Sequence, residues 1–243
     1  MKSLAVLAGG LGTRLQSVIS EVPKPMAPVM GYPFLHWLIQ GWLNSGHRFD
    51  KIVISVGYKS DSIKSYFGEI FQGVPIVYLT ERVQLGTGGA LINICQHVDG
   101  SLCVINGDTW FVPTEGLICI KDTQIPTMLM VLKHIDEVSR YGRVLLNDAG
   151  FVTDIESNKA GPGWINGGVY FFNRAAVCKI ADAYSEPYYC SLEGKLFANW
   201  LSESLLSIRG VKSASRFLDI GVPEDYYSAA DFLSDVANQN KLL

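Results

Sequence analysis

The chain has 243 residues, of which 48% are hydrophobic and 18% are charged, a composition that excludes disordered and fibrous proteins. At this length roughly 70 to 75% of the unfolded chain's surface can be buried on folding, so a sizeable core is available. The 20 Lys and Arg residues and 23 Asp and Glu residues give a formal net charge of -3 without a basic stripe, so we expect small-molecule partners and no nucleic acid.

The first half of the chain alternates short apolar runs with amphipathic stretches, which is typical of βαβ units around a mainly parallel sheet. Because Val, Ile and Leu dominate the runs, we predict strands that are covered on both faces. The predicted strands are residues 3–8, 51–56, 75–79, 102–106 and 127–133. The predicted helices are residues 33–44, where Pro33 suits the first turn and Gly46 marks the exit, and residues 87–97.

The second half, from about residue 138, has a different pattern of predicted strands and turns. Strands predicted at residues 142–146, 151–156 and 165–172 are separated by Asn, Asp, Gly and Pro turns, which favours antiparallel pairing, and helices are predicted at residues 174–183, 192–201 and 223–236. The predicted fold class is α/β: a Rossmann-like, mainly parallel sheet with helices on both faces and a smaller antiparallel insertion. We predict one domain over residues 1–243, with halves at 1–137 and 138–243.

The apolar runs and the cysteines exclude other classes. No apolar run approaches the roughly 18 residues of a membrane span. The N-terminal run ends at Gly9 and Gly10, too early for a signal peptide. The five cysteines are widely spaced without a Cys-x-x-Cys pair, which argues against a disulfide framework and a zinc site. We therefore expect a cytoplasmic protein with no membrane association.

A glycine-rich loop follows the first predicted strand. Gly9, Gly10 and Gly12 expose backbone N–H groups, and such a loop attracts phosphate. Arg14, at the end of the loop, can clamp a polyphosphate with two charge-assisted hydrogen bonds. The alternative is a turn needed only for tight packing, beside a solvated arginine. The dinucleotide-binding fingerprint fails, because Leu15 stands where its third glycine belongs.

Lys24 and two aspartates are the other candidates for chemistry. Lys24 lies ten residues after the arginine of the glycine loop, between prolines that confine it to one place. Asp108 follows an apolar run, at the carboxyl edge of a predicted strand, where open α/β sheets bind ligands. Asp219 follows another apolar pair, and two carboxylates brought together suit Mg²⁺ that bridges substrate phosphates. Each aspartate alone is equally compatible with a turn at a strand end.

These segments resemble the signature of the sugar-phosphate nucleotidyltransferases, with Gly-Gly-Leu-Gly-Thr-Arg-Leu at residues 9–15 and Lys-Pro-Met at residues 24–26. The resemblance covers nearly the whole chain and continues at residues 85–90, 106–108, 140–142, 165–170 and 219–226. It implies a GT-A-like nucleotidyltransferase fold, Mg²⁺ as cofactor, and a nucleoside triphosphate and a sugar 1-phosphate as substrates. Residues 1–137 then form the nucleotide-binding half, and residues 138–243 form the sugar-phosphate-binding half that completes the metal site.

The resemblance also implies roles for single residues. It assigns Arg14, Lys24 and Asp108 to catalysis, and Asp108 and Asp219 to the metal. In related enzymes the polar residue five positions before the first glycine of the second glycine loop faces the base. Here that residue is Glu81, whose carboxylate can accept hydrogen bonds from N1–H and N2–H₂ of guanine. The implied nucleotide-binding residues are Leu7, Gly9, Gly10, Gly12, Thr13, Glu81, Gly86 and Thr87.

The sugar side is implied in the same way. Asn166 offers a donor and an acceptor to vicinal hydroxyls, and Glu156 matches a family carboxylate that holds sugar hydroxyls. The family often has a lysine directly after that glutamate, in contact with the sugar phosphate. This chain has Ser157 there, and Lys159 is the nearest lysine that can take its place. The implied sugar-phosphate-binding residues are Tyr141, Gly142, Glu156, Lys159, Asn166 and Gly167.

Within the family, the motifs are most similar to those of the heptose 1-phosphate guanylyltransferases, so GTP and D-glycero-α-D-manno-heptose 1-phosphate are the expected substrates for a nucleotide sugar used in cell-surface polysaccharide synthesis. One alternative is a mannose- or other hexose-1-phosphate guanylyl- or uridylyltransferase. Another is a non-catalytic nucleotide-sugar-binding regulatory protein, which has less need of paired aspartates. In the expected reaction the ionised sugar phosphate attacks the α-phosphorus without a general base.

Overall fold

The strands and helices alternate as predicted along most of the chain. The computed structural model describes residues 1–10, 12, 15, 18–19, 21–113 and 118–240. The strands are β1 (Lys2–Leu7), β2 (Pro28–Val29), β3 (Tyr32–Pro33), β4 (Lys51–Val56), β5 (Ile70–Phe71), β6 (Val74–Thr80), β7 (Ser101–Asn106), β8 (Thr109–Phe111), β9 (Thr127–Ile135), β10 (Arg143–Leu146), β11 (Val152–Glu156), β12 (Gly163–Phe172), β13 (Ser207–Ser213) and β14 (Phe217–Asp219). The helices are α1 (Phe34–Asn44), α2 (Ser60–Phe67), α3 (Gly86–His97), α4 (Arg174–Ala183), α5 (Phe197–Ser202), α6 (Pro223–Tyr227) and α7 (Ala229–Asn240).

Eight strands form one sheet in the order β13-β9-β12-β7-β1-β4-β6-β5. In its central part, β1 pairs in parallel with β4 and β7, and β4 pairs in parallel with β6. The predicted α/β class is therefore confirmed. The structure differs in one respect: β12, predicted with the antiparallel insertion, lies inside the main sheet, antiparallel to both β7 and β9. Residues 165–172 are all buried, so this strand needs cover on both faces, which the interior of a large sheet provides.

Helices cover both faces of this sheet. Alternate residues of β1 point to opposite faces, because the side chains of a strand alternate. Leu4 and Val6 belong to the core beneath α1 and α7, whereas Ala5 belongs to the core beneath α3, α4 and α5. Full burial of one such aliphatic side chain stabilises a fold by roughly 1.5 to 3 kcal/mol. The two cores therefore hold the ends of the central strands in fixed positions.

Elements that depend on pairing or local hydrogen bonds were not predicted. β13 lies at the edge of the sheet, parallel to β9, and has no long apolar run. The helix predicted at residues 223–236 is divided into α6 and α7. Between them, the Ser228 hydroxyl donates to the Asp225 carbonyl oxygen at 2.8 Å, a local bond that competes with a continuous helix. The helix predicted at residues 192–201 begins as a π-helical turn, Leu192–Leu196, before α5.

The parallel strands β1, β4, β6 and β7 end at one edge of the sheet, so the loops that follow them lie side by side. Backbone hydrogen bonds extend the strand pairing into these loops: Ala8 N–H donates to the Ser55 carbonyl and Gly107 N–H donates to the Leu7 carbonyl, each at 3.0 Å. This is the edge at which open α/β sheets bind their ligands. The loops therefore form the floor of a cleft.

Candidate active site

A first cleft of about 340 Å³ lies at this edge of the sheet. Of the predicted catalytic and nucleotide-binding residues, it is lined by Leu7, Gly9, Gly10, Gly12, Lys24, Glu81, Gly86, Thr87 and Asp108. The remaining two, Thr13 and Arg14, lie outside the described residues. It is also lined by residues to which the sequence assigned no role. Pro25, Ala90, Asn106 and Gly221 lie within the segments that resemble the family, and Ala8 and Gln84 each lie just before one of them. Segments distant in sequence therefore converge on one space of the size that small-molecule sites have.

Two glycines of the loop after β1 are required by close contacts. A Cβ atom on Gly9 would collide with the carboxylate of Glu81. A Cβ atom on Gly12 would lie 2.8 Å from Lys24 Cβ, and its backbone φ of 60° is one that side-chain-bearing residues rarely adopt. The glycine loop can therefore pack directly against Glu81 and Lys24. Both side chains lie beside its backbone as a result.

Lys24 is fixed by the turn that contains it. The 3₁₀ turn Lys24–Met26 follows Pro23 in extended conformation, has Pro25 in its first turn, and is closed by a 2.8 Å hydrogen bond from Met26 N–H to the Pro23 carbonyl. The lysine side chain is only 10% exposed. Its ammonium lies 2.6 Å from Asp108 Oδ2 and 3.6 Å from Asp219 Oδ1. The turn therefore confines Lys24, as the flanking prolines predicted.

The two aspartates are brought together by a small two-stranded sheet. β14 pairs with β8 so that Asp219 stands opposite Thr109, next to Asp108, and the Ile220 N–H donates to the Asp108 carbonyl at 3.1 Å. Burial and the charge of Asp108 raise the pKa of Asp219, and the Lys24 ammonium opposes this rise. We call Lys24, Asp108 and Asp219 the junction.

The junction has the donor set for a hard divalent cation. One ammonium contacts both carboxylates, so their oxygens converge on a single point. Within the described ranges no group of three His, Cys, Asp or Glu residues forms a metal site. Two carboxylates completed by substrate phosphates are the usual arrangement for Mg²⁺, which keeps several other ligands as water. The residues present therefore fit the predicted metal.

A second cleft of about 190 Å³ adjoins the first. The residues that line both clefts are Lys24, Asn106 and Asp108. The second cleft is completed by Thr109, Arg140, Tyr141, Asn166, Gly167, Gly168, Glu193, Phe217 and Asp219. The junction thus lies where two substrate-sized spaces meet, with one space on each side.

The predicted sugar-phosphate residues divide into two groups. Tyr141, Asn166 and Gly167 line the second cleft, whereas Gly142, Glu156 and Lys159 line neither cleft. The Lys159 ammonium lies 3.5 Å from Glu156 Oε1, and its side chain is 50% exposed. Gly142, with a φ of 82°, packs against the Glu156 backbone. The structure therefore places this second group outside both clefts, with Lys159 at the surface.

Glu193 is a site residue that sequence reasoning missed. Asn166, which is 7% exposed, donates through Nδ2 to Glu193 Oε1 at 2.7 Å and to the Tyr170 hydroxyl at 2.6 Å, and its Oδ1 accepts from Gly168 N–H at 3.0 Å. Both amide hydrogens of Asn166 are used, so it holds the carboxylate rather than offering free donors. Burial of that carboxylate within the cleft, with the charges of Asp108 and Asp219, raises the pKa of Glu193 to about 7. The sequence did not identify Glu193 because it is one acidic residue within a predicted helix. Its hydrogen-bond partner, Asn166, lies 27 positions away in the chain.

Glu81 is held from two sides. The Ser55 hydroxyl donates to Oε1 at 3.0 Å, and the Leu85 N–H donates to Oε2 at 3.1 Å. The loop then enters α3, where Gly86 has a φ of 68° and the Thr87 hydroxyl accepts from Leu192 N–H at 2.9 Å. This last bond ties the entrance of the first cleft to the segment that carries Glu193.

A glycine loop at strand ends, a lysine on paired aspartates and two adjoining clefts define a nucleotide-binding α/β enzyme. The sequence pattern of the Nucleotidyl transferase family matches residues 4–236. The chain belongs to this family. Among the described residues, no helix is both long enough and apolar enough to cross a bilayer.

Similar proteins agree with this assignment. A D-glycero-alpha-D-manno-heptose 1-phosphate guanylyltransferase from Aneurinibacillus thermoaerophilus is 36% identical over 228 residues, covering 92% of this chain and 95% of the relative. A protein of the same description from Campylobacter jejuni subsp. jejuni serotype O:2 is 34% identical over 225 residues, covering 91% and 96%. The structure of HddC from Yersinia pseudotuberculosis complexed with GMP-PN has a TM-score of 0.76 and 29% identity, covering 96% of this chain and 99% of HddC. The predicted sugar-phosphate nucleotidyltransferase is confirmed.

Proposed function

We propose that this chain transfers the guanylyl group of GTP to D-glycero-α-D-manno-heptose 1-phosphate and releases pyrophosphate. The observation that carries the proposal is the junction between the two clefts, where one lysine contacts an aspartate from each half of the chain. The names of the two relatives and the ligand of the solved structure support this choice of substrates. Residues 1–137 supply the nucleotide side of one domain and residues 138–243 supply the sugar side.

The reaction needs positioning and charge neutralisation more than proton transfer. A sugar 1-phosphate is ionised at neutral pH, so its oxygen can attack the α-phosphorus of GTP directly. The glycine loop and Arg14 hold the outer phosphates, and the Lys24 ammonium stabilises the charge that develops during transfer. Asp108 and Asp219 would hold Mg²⁺, which would supply positive charge to offset the repulsion between the two anionic substrates.

Glu81 is proposed to select guanine. Each carboxylate oxygen accepts one hydrogen bond from the protein, and a carboxylate has about four acceptor sites, so each oxygen retains one for a ligand. Guanine presents N1–H and N2–H₂ side by side, which matches two adjacent acceptors. The carbonyl edge of uracil or thymine would be repelled by the same carboxylate.

The sugar is proposed to occupy the second cleft. The Glu193 carboxylate and the second lone pair of the Asn166 carbonyl oxygen are acceptors for sugar hydroxyls. Tyr141 adds an apolar ring edge to the wall, packed against Phe217 at a centroid distance of 5.8 Å. These groups suit a polyhydroxylated ring better than an apolar ligand.

A substrate matrix tests the proposal. Pyrophosphate release is measured from GTP, UTP, CTP, ATP and dTTP against a panel of heptose, mannose and glucose 1-phosphates. The proposal predicts the highest kcat/KM for GTP with the heptose 1-phosphate. Preference for mannose 1-phosphate or glucose 1-phosphate would replace the sugar assignment, and preference for UTP would replace the base assignment. Absence of pyrophosphate release from every pair would contradict the function itself.

A further inference from the structure

The second cleft carries more negative than positive charge. Asp108, Glu193 and Asp219 line it, and a sugar 1-phosphate would bring an anionic phosphate beside them. Among the described residues of its lining, the cations are Lys24 and Arg140. The Lys24 ammonium is already in contact with both aspartates. Arg140 is therefore the cation left for an incoming anion.

The guanidinium of Arg140 is presented to the cleft with donors to spare. Its Nη1 and Nη2 both donate to a single oxygen, Asp225 Oδ2, at 3.0 Å each. Its centre lies 5.3 Å from the ring centroid of Tyr141, another lining residue. The side chain is 43% exposed, so a ligand can reach the N–H groups that these contacts do not use. A planar fork of five donors matches a phosphate in a two-point geometry.

The position of this guanidinium links it to the reacting centre. Arg140 lies in the turn before β10, and its partner Asp225 lies in α6, shortly after Asp219 in the chain. Arg140 and Asp219 line the same cleft, and Tyr141, which follows Arg140, packs against Phe217 in the strand that carries Asp219. Arg140 therefore faces the same space as the junction, where the sugar phosphate must come to attack.

We propose that Arg140 binds the phosphate of the sugar 1-phosphate and does the work of the lysine that the family often has after the position of Glu156. This inference rests on the proposed function. Lys159, the nearest lysine to that position, lines neither cleft and pairs with Glu156 at the surface. Asp225 holds the arginine beside the cleft until the phosphate forms its own bonds with the free N–H groups.

Kinetics of Arg140→Met and Arg140→Lys test the inference. Arg140→Met keeps an unbranched apolar stem for Tyr141 but removes the charge, so the KM for the sugar 1-phosphate should rise about tenfold or more. The KM for GTP and the kcat should stay within about twofold. Arg140→Lys keeps a point charge without the fork and should give an intermediate KM. Inorganic phosphate, used as a competitor of the sugar 1-phosphate, should inhibit Arg140→Met much less than the wild type.

Arg216→Met is the matched control. Arg216 also pairs with an aspartate, Asp235 at 3.2 Å, and also stacks on an aromatic ring, Phe232 at 4.7 Å, but it lines neither cleft. This variant should keep the wild-type KM for the sugar 1-phosphate.

Asp225→Asn distinguishes ligand binding from a structural tether. It removes the charge that competes with phosphate but keeps an amide oxygen that can still accept from the guanidinium and hold it beside the cleft. The KM for the sugar 1-phosphate should therefore stay the same or fall. Any of three results overturns the inference. Asp225→Asn raises the KM for the sugar 1-phosphate as much as Arg140→Met does, or Arg140→Met raises the KM for GTP and not the KM for the sugar 1-phosphate. The third is that Arg140→Met leaves the KM for the sugar 1-phosphate as low as Arg216→Met does. An inactive wild type would contradict the proposed function, whereas an active wild type with a neutral Arg140→Met would contradict only this inference.

Discussion

Replacing Glu81 with glutamine tests how the first cleft selects its base. The Leu85 N–H, which donates to Oε2 of Glu81, can only be a donor, so a glutamine must turn its carbonyl oxygen toward Leu85. Its NH₂ group then faces Ser55, whose hydroxyl donates in the wild type but can rotate to accept. The variant therefore keeps both protein contacts, and the fold should be unaffected.

The base then meets a donor where the wild type has an acceptor. One guanine N–H loses its charged partner, a loss that costs roughly 1.5 to 3 kcal/mol. Since 1.4 kcal/mol corresponds to a factor of about ten, the kcat/KM for GTP should fall by roughly ten- to a hundredfold. Uracil presents a single N3–H between two carbonyls and so loses less than guanine, and the preference for GTP over UTP should narrow by about tenfold or more.

Initial rates of pyrophosphate release with GTP and with UTP, at saturating sugar 1-phosphate, measure this ratio for the wild type and Glu81→Gln. Glu69→Gln is the control, because Glu69 is exposed and lines neither cleft. The KM for the sugar 1-phosphate should be unchanged in both variants. An unaltered ratio of GTP to UTP in Glu81→Gln would refute base recognition by this carboxylate.

The other perturbations concern catalysis, the metal and the stability of the fold. Lys24→Ala should lower kcat by about a hundredfold or more, because its charge acts during transfer, whereas Arg14→Ala should chiefly raise the KM for GTP; identical kinetic effects would show that these roles are divided wrongly. Asp108→Asn should lower turnover by a factor on the order of a hundred, and the wild type should be inactive in excess chelator, so full activity there would contradict the metal site. Burial lowers the pKa of His47 to about 4, below the unfolded value near 6.5. Its neutral form therefore stabilises the fold above pH 6.5, and this contribution is lost as the pH falls toward 4. The Tm should consequently fall more over that range in the wild type than in His47→Phe, and parallel Tm curves would contradict this.

Predictions from the sequence were most accurate where one local signal determines one element. Residues 51–56 and 174–183 were predicted with the bounds of β4 and α4. The first contains four β-branched residues, Ile52, Val53, Ile54 and Val56. The second begins after Asn173, whose side chain caps the helix by accepting from Ala176 N–H at 2.9 Å. β13 carries no such signal, because its partly exposed residues are held by pairing with β9 and by cations over rings, such as Lys212 above Trp164 at 4.9 Å.

The two clefts also differ in how much local sequence determines them. Much of the first cleft is built from loops that directly follow strands, such as Gly9 after β1, Glu81 after β6 and Asp108 after β7. A motif in the sequence therefore already marks a position at the edge of the sheet. The second cleft is assembled by contacts between distant segments. Glu193 reaches it through Asn166, and Arg140 is held there by Asp225, 85 positions away. Glu193 stands in no pattern that distinguishes it from an ordinary surface charge. Arg140 begins one of the segments that resemble the family, but nothing in that segment assigns it a role, so only the folded chain places both residues at the cleft.

The most direct test of the account follows the α-phosphorus of GTP. The wild type is incubated with Mg²⁺, D-glycero-α-D-manno-heptose 1-phosphate and GTP labelled at that phosphorus, and the products are separated by anion exchange. Transfer at the junction predicts that the label appears in a GDP-sugar, in amounts equal to the pyrophosphate released. Label that remains in GTP, or that appears as free GMP or GDP, would contradict guanylyl transfer to the sugar phosphate.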